Sequence, residues 1–190
     1  MDVLEAITTR RTIARFRPEL IPPETLRAAL AAGIWAPNHR LTEPWRFVIL
    51  GPETQRRLAA RFGELKAAKA AAESAERGER LRIDSERMFL AVPAIIAMVV
   101  VQEGDQQQRR EDYAAACCAA QNVQLAAWAE GIGTKWSTAG VTRDPLAYEL
   151  LGLDPARFDI IGFLFAGYPA ETPPARPRRL PLEEVIRTTP

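Results

Sequence analysis

The sequence has few of the residues that build metal sites or disulfide frameworks. Its 190 residues include one histidine, His39, and two cysteines, Cys117 and Cys118, which are adjacent. One histidine and two neighbouring cysteines do not make a typical zinc site. Two adjacent cysteines exclude a disulfide framework and indicate a reducing compartment. We therefore expect no metal, and we expect both cysteines to be small apolar side chains in a core.

Long apolar segments and a net charge of one sign are also missing. The longest apolar run, residues 88–101, is interrupted by Pro93 and falls short of the roughly 20 residues of a membrane-spanning helix. The acidic N-terminus lacks the basic start and apolar stretch of a signal peptide, so we expect a cytoplasmic protein with no membrane partner. Lys and Arg number 25, and Asp and Glu number 24, which gives a net charge of +1. This balance excludes binding to nucleic acid through overall charge.

Several common catalytic motifs are absent as well. No G-x-G-x-x-G follows a predicted strand, and there is no P-loop. The G-x-S-x-G motif of a nucleophile elbow is also missing. If the chain is an enzyme, we expect a bound cofactor to supply the difficult chemistry, and we assign no catalytic residue.

The hydrophobic pattern predicts helices that alternate with a few buried strands. Asp2 is a candidate cap for the first helix, and the Ile- and Val-rich segment 94–101 predicts a strand covered on both faces. Residues 73–87 are either exposed helix or a mobile excursion. Helices are predicted over residues 3–9, from 22 to the stop at 36–40, from 52 to about 72, over 108–130 and over 146–151, and extended segments over 45–50, 94–101, 133–137 and 159–166.

This alternation predicts one domain, 1–190, with helices packed on a small central sheet, in the α/β or α+β class. From residue 168 onward the chain is rich in proline and arginine. Such a tail buries little of its own surface, so we expect it to lie against another surface.

Two arginine clusters stand out against the neutral overall charge. Residues 10–12 read Arg-Arg-Thr after the first helix, and Arg176, Arg178 and Arg179 form the second cluster. Guanidinium groups match phosphate oxygens, and a hydroxyl group can complete such a site. Either cluster alone is also compatible with a solvated run of charges. A nucleic-acid patch is disfavoured, because no nucleic-acid motif accompanies these short clusters.

Two polar loops are the other candidates for a site. Residues 36–47 lie between a helix and an aromatic strand and hold His39, which we interpret as a hydrogen-bonding residue rather than a proton-transfer residue. Residues 131–140 place a Lys-Trp pair between glycines. Trp136 there is compatible with a core position, but its place between Lys135 and Ser137 in a glycine-flanked loop favours the face of a cofactor site.

Taken together, these segments resemble the FMN-dependent nitroreductase family, in its subgroup of small NAD(P)H nitroreductases. The resemblance covers nearly the whole chain and depends on the order of its motifs. They are Arg-Arg-Thr at 10–12, where the family has Arg-Arg-Ser, Ala-Pro-x-His with Pro-Trp-Arg-Phe in 36–47, Gly-Ile-Gly at 131–133 with Trp-Ser-Thr at 136–138, Ile-Gly-Phe-Leu at 161–164 leading to Gly167, and Arg-Arg-Leu-Pro-Leu-Glu-Glu at 178–184.

The resemblance implies an α+β fold with a small central mixed β-sheet flanked by helices. It also implies an interlocked homodimer in which the tail, residues 168–190, packs on the partner subunit, with FMN at the interface. The residues it implies in FMN binding fall into three groups: Arg10, Arg11 and Thr12, with Arg176 or Arg178, at the phosphate; Trp35, Asn38 and His39 from the other subunit; and Trp136, Ser137 and Thr138 along the flavin ring. Residues 126–131 would lie near the nicotinamide nucleotide.

The activity implied is transfer of a hydride from NADH or NADPH to FMN, followed by reduction of a nitroaromatic, quinone or similar electron-poor acceptor in a ping-pong mechanism. The chain departs from the family at Ala14, where many members have a lysine that contacts the flavin. Arg15, Lys135 and Arg40 are the candidates to replace that charge. The departure keeps open a non-catalytic FMN carrier. A flavin-remodelling or dehalogenating relative is a third alternative, with residues 73–90 as a modest candidate for its lid.

Overall fold

The structure, a computed structural model, describes residues 1–71, 74–175 and 179–189. In these ranges the chain forms helices that surround one four-stranded sheet. The elements are α1 (Val3–Thr9), α2 (Pro23–Gly33), a 3-10 turn (His39–Leu41), β1 (Trp45–Ile49), α3 (Pro52–Ala71), α4 (Ala75–Leu90), β2 (Ala94–Val101), α5 (Gln106–Ala129), β3 (Gly133–Ser137), a 3-10 turn (Gly140–Arg143), α6 (Pro145–Leu151), β4 (Phe158–Gly167) and α7 (Leu182–Val185).

The sheet has the strand order β1-β2-β4-β3, and all of its neighbouring strands are antiparallel. The fold is α+β, as expected. The mixture of strand directions that we expected is confined to one isolated parallel bridge, between Thr12 and Thr134 at the outer edge of β3. That bridge joins the segment after α1 to the sheet, close to the first arginine cluster.

The two middle strands are covered on both faces by helices. Ile96, Met98 and Val100 of β2 belong to the apolar cluster that includes α2 and α5. Ile95, Ala97 and Val99 face the opposite cluster, which includes α3 and α4. Alternate residues of one strand therefore enter two cores, which explains why segment 94–101 has no polar positions. The prediction of a strand buried on both faces is confirmed.

Local signals set the ends of several helices. Asp2 Oδ1 accepts a hydrogen bond from Glu5 N at 2.9 Å and caps α1 as predicted. Gly131, with φ of 76°, follows the end of α5, and Gly152, with φ of 65°, ends α6. Glycine adopts this left-handed conformation without steric cost. The helix ends predicted at residues 130 and 151 agree with the observed ends to within one residue.

The charged segment after α3 is a helix. α4 packs against α3, and the Gly63 Cα lies so close to the Arg82 carbonyl that a side chain at residue 63 would collide with it. Of the two alternatives for residues 73–87, helix is therefore correct for the described part, from Ala75 onward. None of the described helices combines the length and the apolar character needed to cross a membrane.

The two cysteines differ in their surroundings. Cys117 is half-buried against the core cluster beneath α2 and α5, whereas Cys118 is exposed. The expectation of two core cysteines is wrong for Cys118, because consecutive residues on a helix point about 100° apart.

Candidate functional site

A cavity of about 510 Å³ lies where the first arginine cluster meets the C-terminal tail. Arg10 and Arg11 follow the last turn of α1, and both side chains are half-buried. The cavity is lined by Thr8, Arg10, Arg11, Thr12, Ala14, Glu171, Pro173, Pro174 and Ala175. Residues 10–12 therefore line one cavity, and its other wall comes from a segment about 160 residues further along the chain.

The arginine segment is fixed to the sheet by its backbone. Ile13 N donates to the Thr134 carbonyl at 3.0 Å, beside the parallel bridge at Thr12. The Ile13 side chain is fully buried over Gly133, where a Cβ would overlap Ile13 Cγ1. Gly133 therefore makes room for the residue that anchors the arginine cluster. The signal in the sequence is a glycine at the start of a short strand.

The start of the C-terminal tail pairs with the residues that follow the arginine cluster, in a short antiparallel ladder. Arg17 N donates to the Tyr168 carbonyl at 2.8 Å, and Ala170 N donates to the Arg15 carbonyl at 3.0 Å. The guanidinium of Arg17 lies over the Tyr168 ring, 5.3 Å from its centroid. The backbone of the tail is thus ordered by pairing up to residue 170, just before the cavity wall begins.

One ion pair joins the two sides beyond this ladder. Arg15 Nη2 donates to Glu171 Oε1 at 2.6 Å. The hydrogen bond and the charge of Glu171 raise the pKa of Arg15 above its usual value. Glu171 is the only carboxylate among the described residues that line the cavity, and Arg15 compensates its charge. Sequence reasoning missed Glu171, because nothing in the tail's composition distinguishes it from a solvated acid.

Arg11 keeps donors available for an anion. Arg11 Nη1 donates to the Thr8 carbonyl at 2.8 Å and to the Arg10 carbonyl at 3.0 Å. A guanidinium has five N–H donors, so the Arg11 group retains others beyond these two bonds. Arg176 and Arg178, which we predicted at the same phosphate site, lie outside the described residues.

The second predicted group lies on the loop after α2. The Trp35 side chain is 83% exposed, Asn38 is half-buried and His39 is exposed. The backbone of this loop has positive φ at Arg40 (55°), Leu41 (53°) and Glu43 (43°). Non-glycine residues rarely adopt this conformation, so the surrounding contacts must hold the loop in this shape.

Those contacts come from the first half of α5. His39 Nδ1 lies 2.7 Å from Glu111 Oε2, and Thr42 Oγ1 donates to Asp112 Oδ1 at 2.6 Å. Asp112 is only 3% exposed. Within the loop, the Glu43 N–H donates to Asn38 Oδ1 at 3.0 Å. Two adjacent carboxylates of α5 thus hold the loop at residues 39 and 42, on either side of the positive-φ residues 40 and 41.

Sequence reasoning also missed this attachment. A signal was present, because Asp112 lies four residues before Ala116 and eight before Ala120, on the core-facing side of α5. A carboxylate in such a position needs a hydrogen-bonding partner. The sequence alone does not show that the partner is Thr42.

The third predicted group lies at the end of β3. The Trp136 indole N–H donates to the Ile161 carbonyl at 3.2 Å, and the ring lies over Gly162, where a Cβ would collide with it. Trp136 is half-buried against the core, Ser137 is half-buried and Thr138 is exposed. Lys135 places its Nζ 5.8 Å from the centroid of the Phe165 ring.

The structure therefore groups the predicted residues into separate regions of one chain. Arg10, Arg11 and Thr12 share a cavity. None of the described residues that line this cavity comes from the loop of Trp35, Asn38 and His39 or from the end of β3. Among the residues that the structure describes, those implied by the resemblance thus do not line one common cavity within a single chain.

Comparison with known proteins gives a consistent family. A family model described as "Nitroreductase family" matches residues 7–168. The protein YfhC of Bacillus subtilis, named as a candidate NAD(P)H nitroreductase, is 31% identical over 181 residues, which cover 95% of this chain and 90% of YfhC. YdjA of Escherichia coli K12, named in the same way, is 32% identical over 171 residues, covering 89% of each chain.

Solved structures show the same fold. A nitroreductase-like protein of Bacillus cereus is 31% identical, with a TM-score of 0.82 over 100% of this chain and 96% of the other. A candidate nitroreductase of Desulfovibrio desulfuricans, solved in complex with FMN, is 26% identical, with a TM-score of 0.75 over 100% of this chain and 98% of the other.

Proposed function

The chain belongs to the nitroreductase family, and we propose that it is an FMN-dependent oxidoreductase that takes electrons from NADH or NADPH. The observation that carries the proposal is the arginine-lined cavity, because it combines two guanidinium groups with the Thr12 and Thr8 hydroxyls. A relative with 26% identity contains FMN. The cavity and this relative support the same ligand.

The residues of the cavity fit the phosphate end of FMN. Guanidinium groups bind phosphate with charge-assisted hydrogen bonds, and hydroxyl groups add neutral ones. The volume of about 510 Å³ lies within the ordinary range of small-molecule sites. Glu171 would repel a phosphate, but its charge is compensated by Arg15. Arg10 and Arg11 would hold the phosphate, and Thr12 would bind the adjoining ribityl chain.

A homodimer would complete this site. Trp35 is 83% exposed and Leu41 is 81% exposed, and both lie on the loop that carries Asn38 and His39. The Val3, Leu4 and Ile7 side chains of α1 are exposed too. Contiguous exposed apolar patches mark interaction surfaces, and these two segments are the candidates for one. We propose that the partner is a second copy, whose loop brings Trp35, Asn38 and His39 to the flavin bound beside Arg10.

Bound FMN would supply the electron transfer, accepting a hydride from the nicotinamide and passing electrons to a second substrate. The chain's own residues bind and orient the reactants, which is the main requirement of such a ping-pong reaction. The end of β3, with Trp136, Ser137 and Thr138, would lie along the flavin ring. Nitroaromatics, quinones and similar electron-poor compounds are the acceptors that we propose, and Arg40 or Lys135 would meet an anionic one.

An anaerobic visible spectrum tests the proposal. The purified protein saturated with FMN is expected to show a bound flavin spectrum that bleaches on addition of NADH or NADPH. The faster donor identifies the preferred nucleotide. Bleached protein is then expected to recover its colour when a quinone or nitroaromatic compound is added. A protein that binds no FMN would contradict the proposal.

A second candidate, an FMN carrier without turnover, is favoured by one observation. Ala14 lines the cavity where many family members have lysine, and the neighbouring Arg15 is paired with Glu171. The segment then has no lysine at residue 14, and the charge of Arg15 is already compensated by Glu171. The carrier predicts tight binding of FMN and no bleaching by either nucleotide, so the same spectrum separates the two functions.

Sedimentation tests the homodimer. We expect a dimer in the presence of FMN, because both halves of the proposed site are needed for tight binding. A stable monomer that still binds FMN tightly would contradict the shared site.

A further inference from the structure

The sole histidine of the chain is held by a carboxylate. His39 Nδ1 lies 2.7 Å from Glu111 Oε2, while the side chain of His39 is 56% exposed. An ionised carboxylate only accepts hydrogen bonds, so the proton of this contact belongs to Nδ1. In the neutral ring, Nε2 then carries the free lone pair.

Glu111 is itself fixed in orientation. Gln107, one turn earlier on α5, donates from Nε2 to Glu111 Oε1 at 3.1 Å. One carboxylate oxygen therefore faces Gln107 and the other faces His39. Hydrogen bonds from His39 and then Gln107, with the charges of His39 and Arg40, lower the pKa of Glu111 below its usual value. The carboxylate is thus ionised at neutral pH and remains an acceptor.

The loop cannot easily turn His39 away from Glu111. Arg40 and Leu41, which follow His39 directly, adopt positive φ, and Thr42 is bonded to the buried carboxylate of Asp112. The backbone on this side of His39 is thereby fixed relative to α5. In many metal sites, a hydrogen bond at one ring nitrogen orients a histidine whose other nitrogen binds the ligand. The contact with Glu111 would orient the His39 ring in the same way.

We propose that Glu111 is a positioning residue that keeps His39 in the Nδ1–H tautomer, so that Nε2 accepts a hydrogen bond from the flavin bound across the dimer interface. This inference rests on the proposed function. A phosphate dianion has no proton to donate, whereas the ribityl hydroxyls and the ring N–H of a flavin do. The contact therefore falls on the part of the ligand that riboflavin shares with FMN.

Nitrogen NMR of the single histidine tests the tautomer without any flavin. Protein labelled with ¹⁵N-histidine has one pair of ring nitrogen signals, since the chain has one histidine. In the neutral ring, we expect a protonated Nδ1 and an unprotonated Nε2 in the wild type. Glu111→Gln replaces an oxygen acceptor with an amide that can donate to Nδ1, and we expect it to move the proton toward Nε2. A wild-type ring protonated on Nε2 would overturn the inference, whether or not the variant folds.

Measurements of flavin affinity test whether His39 Nε2 accepts a hydrogen bond from the ligand. Glu111→Gln is expected to weaken the binding of both FMN and riboflavin by about tenfold, the effect of one lost hydrogen bond. Glu149→Gln is the matched control, because Glu149 also pairs with a basic side chain, Arg57, and lies outside the proposed site. Equal affinities of Glu111→Gln and the control would overturn the inference. Failure of the wild type to bind flavin would instead overturn the proposed function.

Discussion

Arg15 Nη2 donates to Glu171 Oε1 at 2.6 Å and so joins the segment after α1 to the C-terminal tail through a carboxylate that lines the arginine-lined cavity. The pair continues the backbone ladder between residues 15–17 and 168–170. Both side chains are largely exposed, so the pair adds little to stability on its own. Its effect is electrostatic, because Glu171 is a carboxylate in a cavity that we assign to a phosphate.

The first prediction concerns this pair. Arg15→Ala leaves the charge of Glu171 uncompensated beside the phosphate, and we expect weaker binding of FMN. In a Glu171→Gln background, the same Arg15→Ala change is expected to have a much smaller effect, because there is no longer a charge to compensate. Fluorescence titration of FMN against the four proteins of this double-mutant cycle measures the coupling.

Salt provides the control for this cycle. The coupling is expected to shrink at high ionic strength, because both side chains are exposed to solvent. Equal effects of Arg15→Ala in both backgrounds would mean that Arg15 contacts the ligand directly.

The second prediction concerns Arg10. Arg10→Ala removes a guanidinium from the cavity, and we expect FMN to bind less tightly by about 1.5–3 kcal/mol, the range of a charged hydrogen bond. Riboflavin lacks the phosphate, so its affinity is expected to change little. Arg27→Ala, an exposed arginine of α2, is the control for a lost surface charge. An equal loss for FMN and riboflavin would place Arg10 away from the phosphate.

Gly133 provides the third prediction, since it links the sheet to the arginine segment. A side chain at residue 133 would overlap Ile13 Cγ1 and press on Pro169. Gly133→Ala is therefore expected to displace the segment that carries residues 10–12 and to weaken FMN binding severalfold. Gly51→Ala is the matched control, because nothing lies within 4 Å of a Cβ at that position. Isothermal calorimetry with FMN measures both variants.

The sequence predicted the local elements well where the signal was local. Asp2 caps α1 as predicted, and the helices predicted over 108–130 and 146–151 end within one residue of the observed ends of α5 and α6. Segment 94–101 was correctly placed inside the sheet, because a strand with two buried faces has no polar residues. These features follow from a few neighbouring residues, so one sequence is sufficient to find them.

The connections between distant segments could not be predicted in this way. Glu171 pairs with Arg15 and Asp112 pairs with Thr42, over separations of 156 and 70 residues. Neither acid differs in its local sequence from an ordinary surface residue, apart from the core-facing position of Asp112. The residues implied at the flavin ring and across the interface remain predictions, because they depend on a second chain and a ligand.

The fourth prediction concerns the attachment of the loop. Thr42→Val removes the hydroxyl that donates to Asp112, and Asp112 is 3% exposed. A buried carboxylate without that partner destabilises the fold, and we expect a loss of about 1–3 kcal/mol in the free energy of unfolding. Thr42→Ser keeps the hydroxyl and is expected to lose much less. Urea denaturation followed by circular dichroism measures both, and equal losses would show that the methyl group of Thr42 matters more than the hydrogen bond.

The fifth prediction is a pH dependence at Glu111. Hydrogen bonds from His39 and Gln107 lower its pKa in the folded protein, so the unfolded chain binds this proton more tightly than the folded chain does. The stability that Glu111 contributes is therefore fully present above its ordinary pKa, and it is lost as the pH falls through the lowered one. Wild type and Glu111→Gln are expected to differ most in free energy of unfolding near neutral pH and to converge in acid. His39 and Arg40 are the nearby basic side chains, and Asp112 is the adjacent carboxylate, so the same series in His39→Asn isolates the part that depends on the imidazole. A difference that grows toward acid would mean that the carboxylate is destabilising in its ionised form, which is incompatible with the two hydrogen bonds that it accepts.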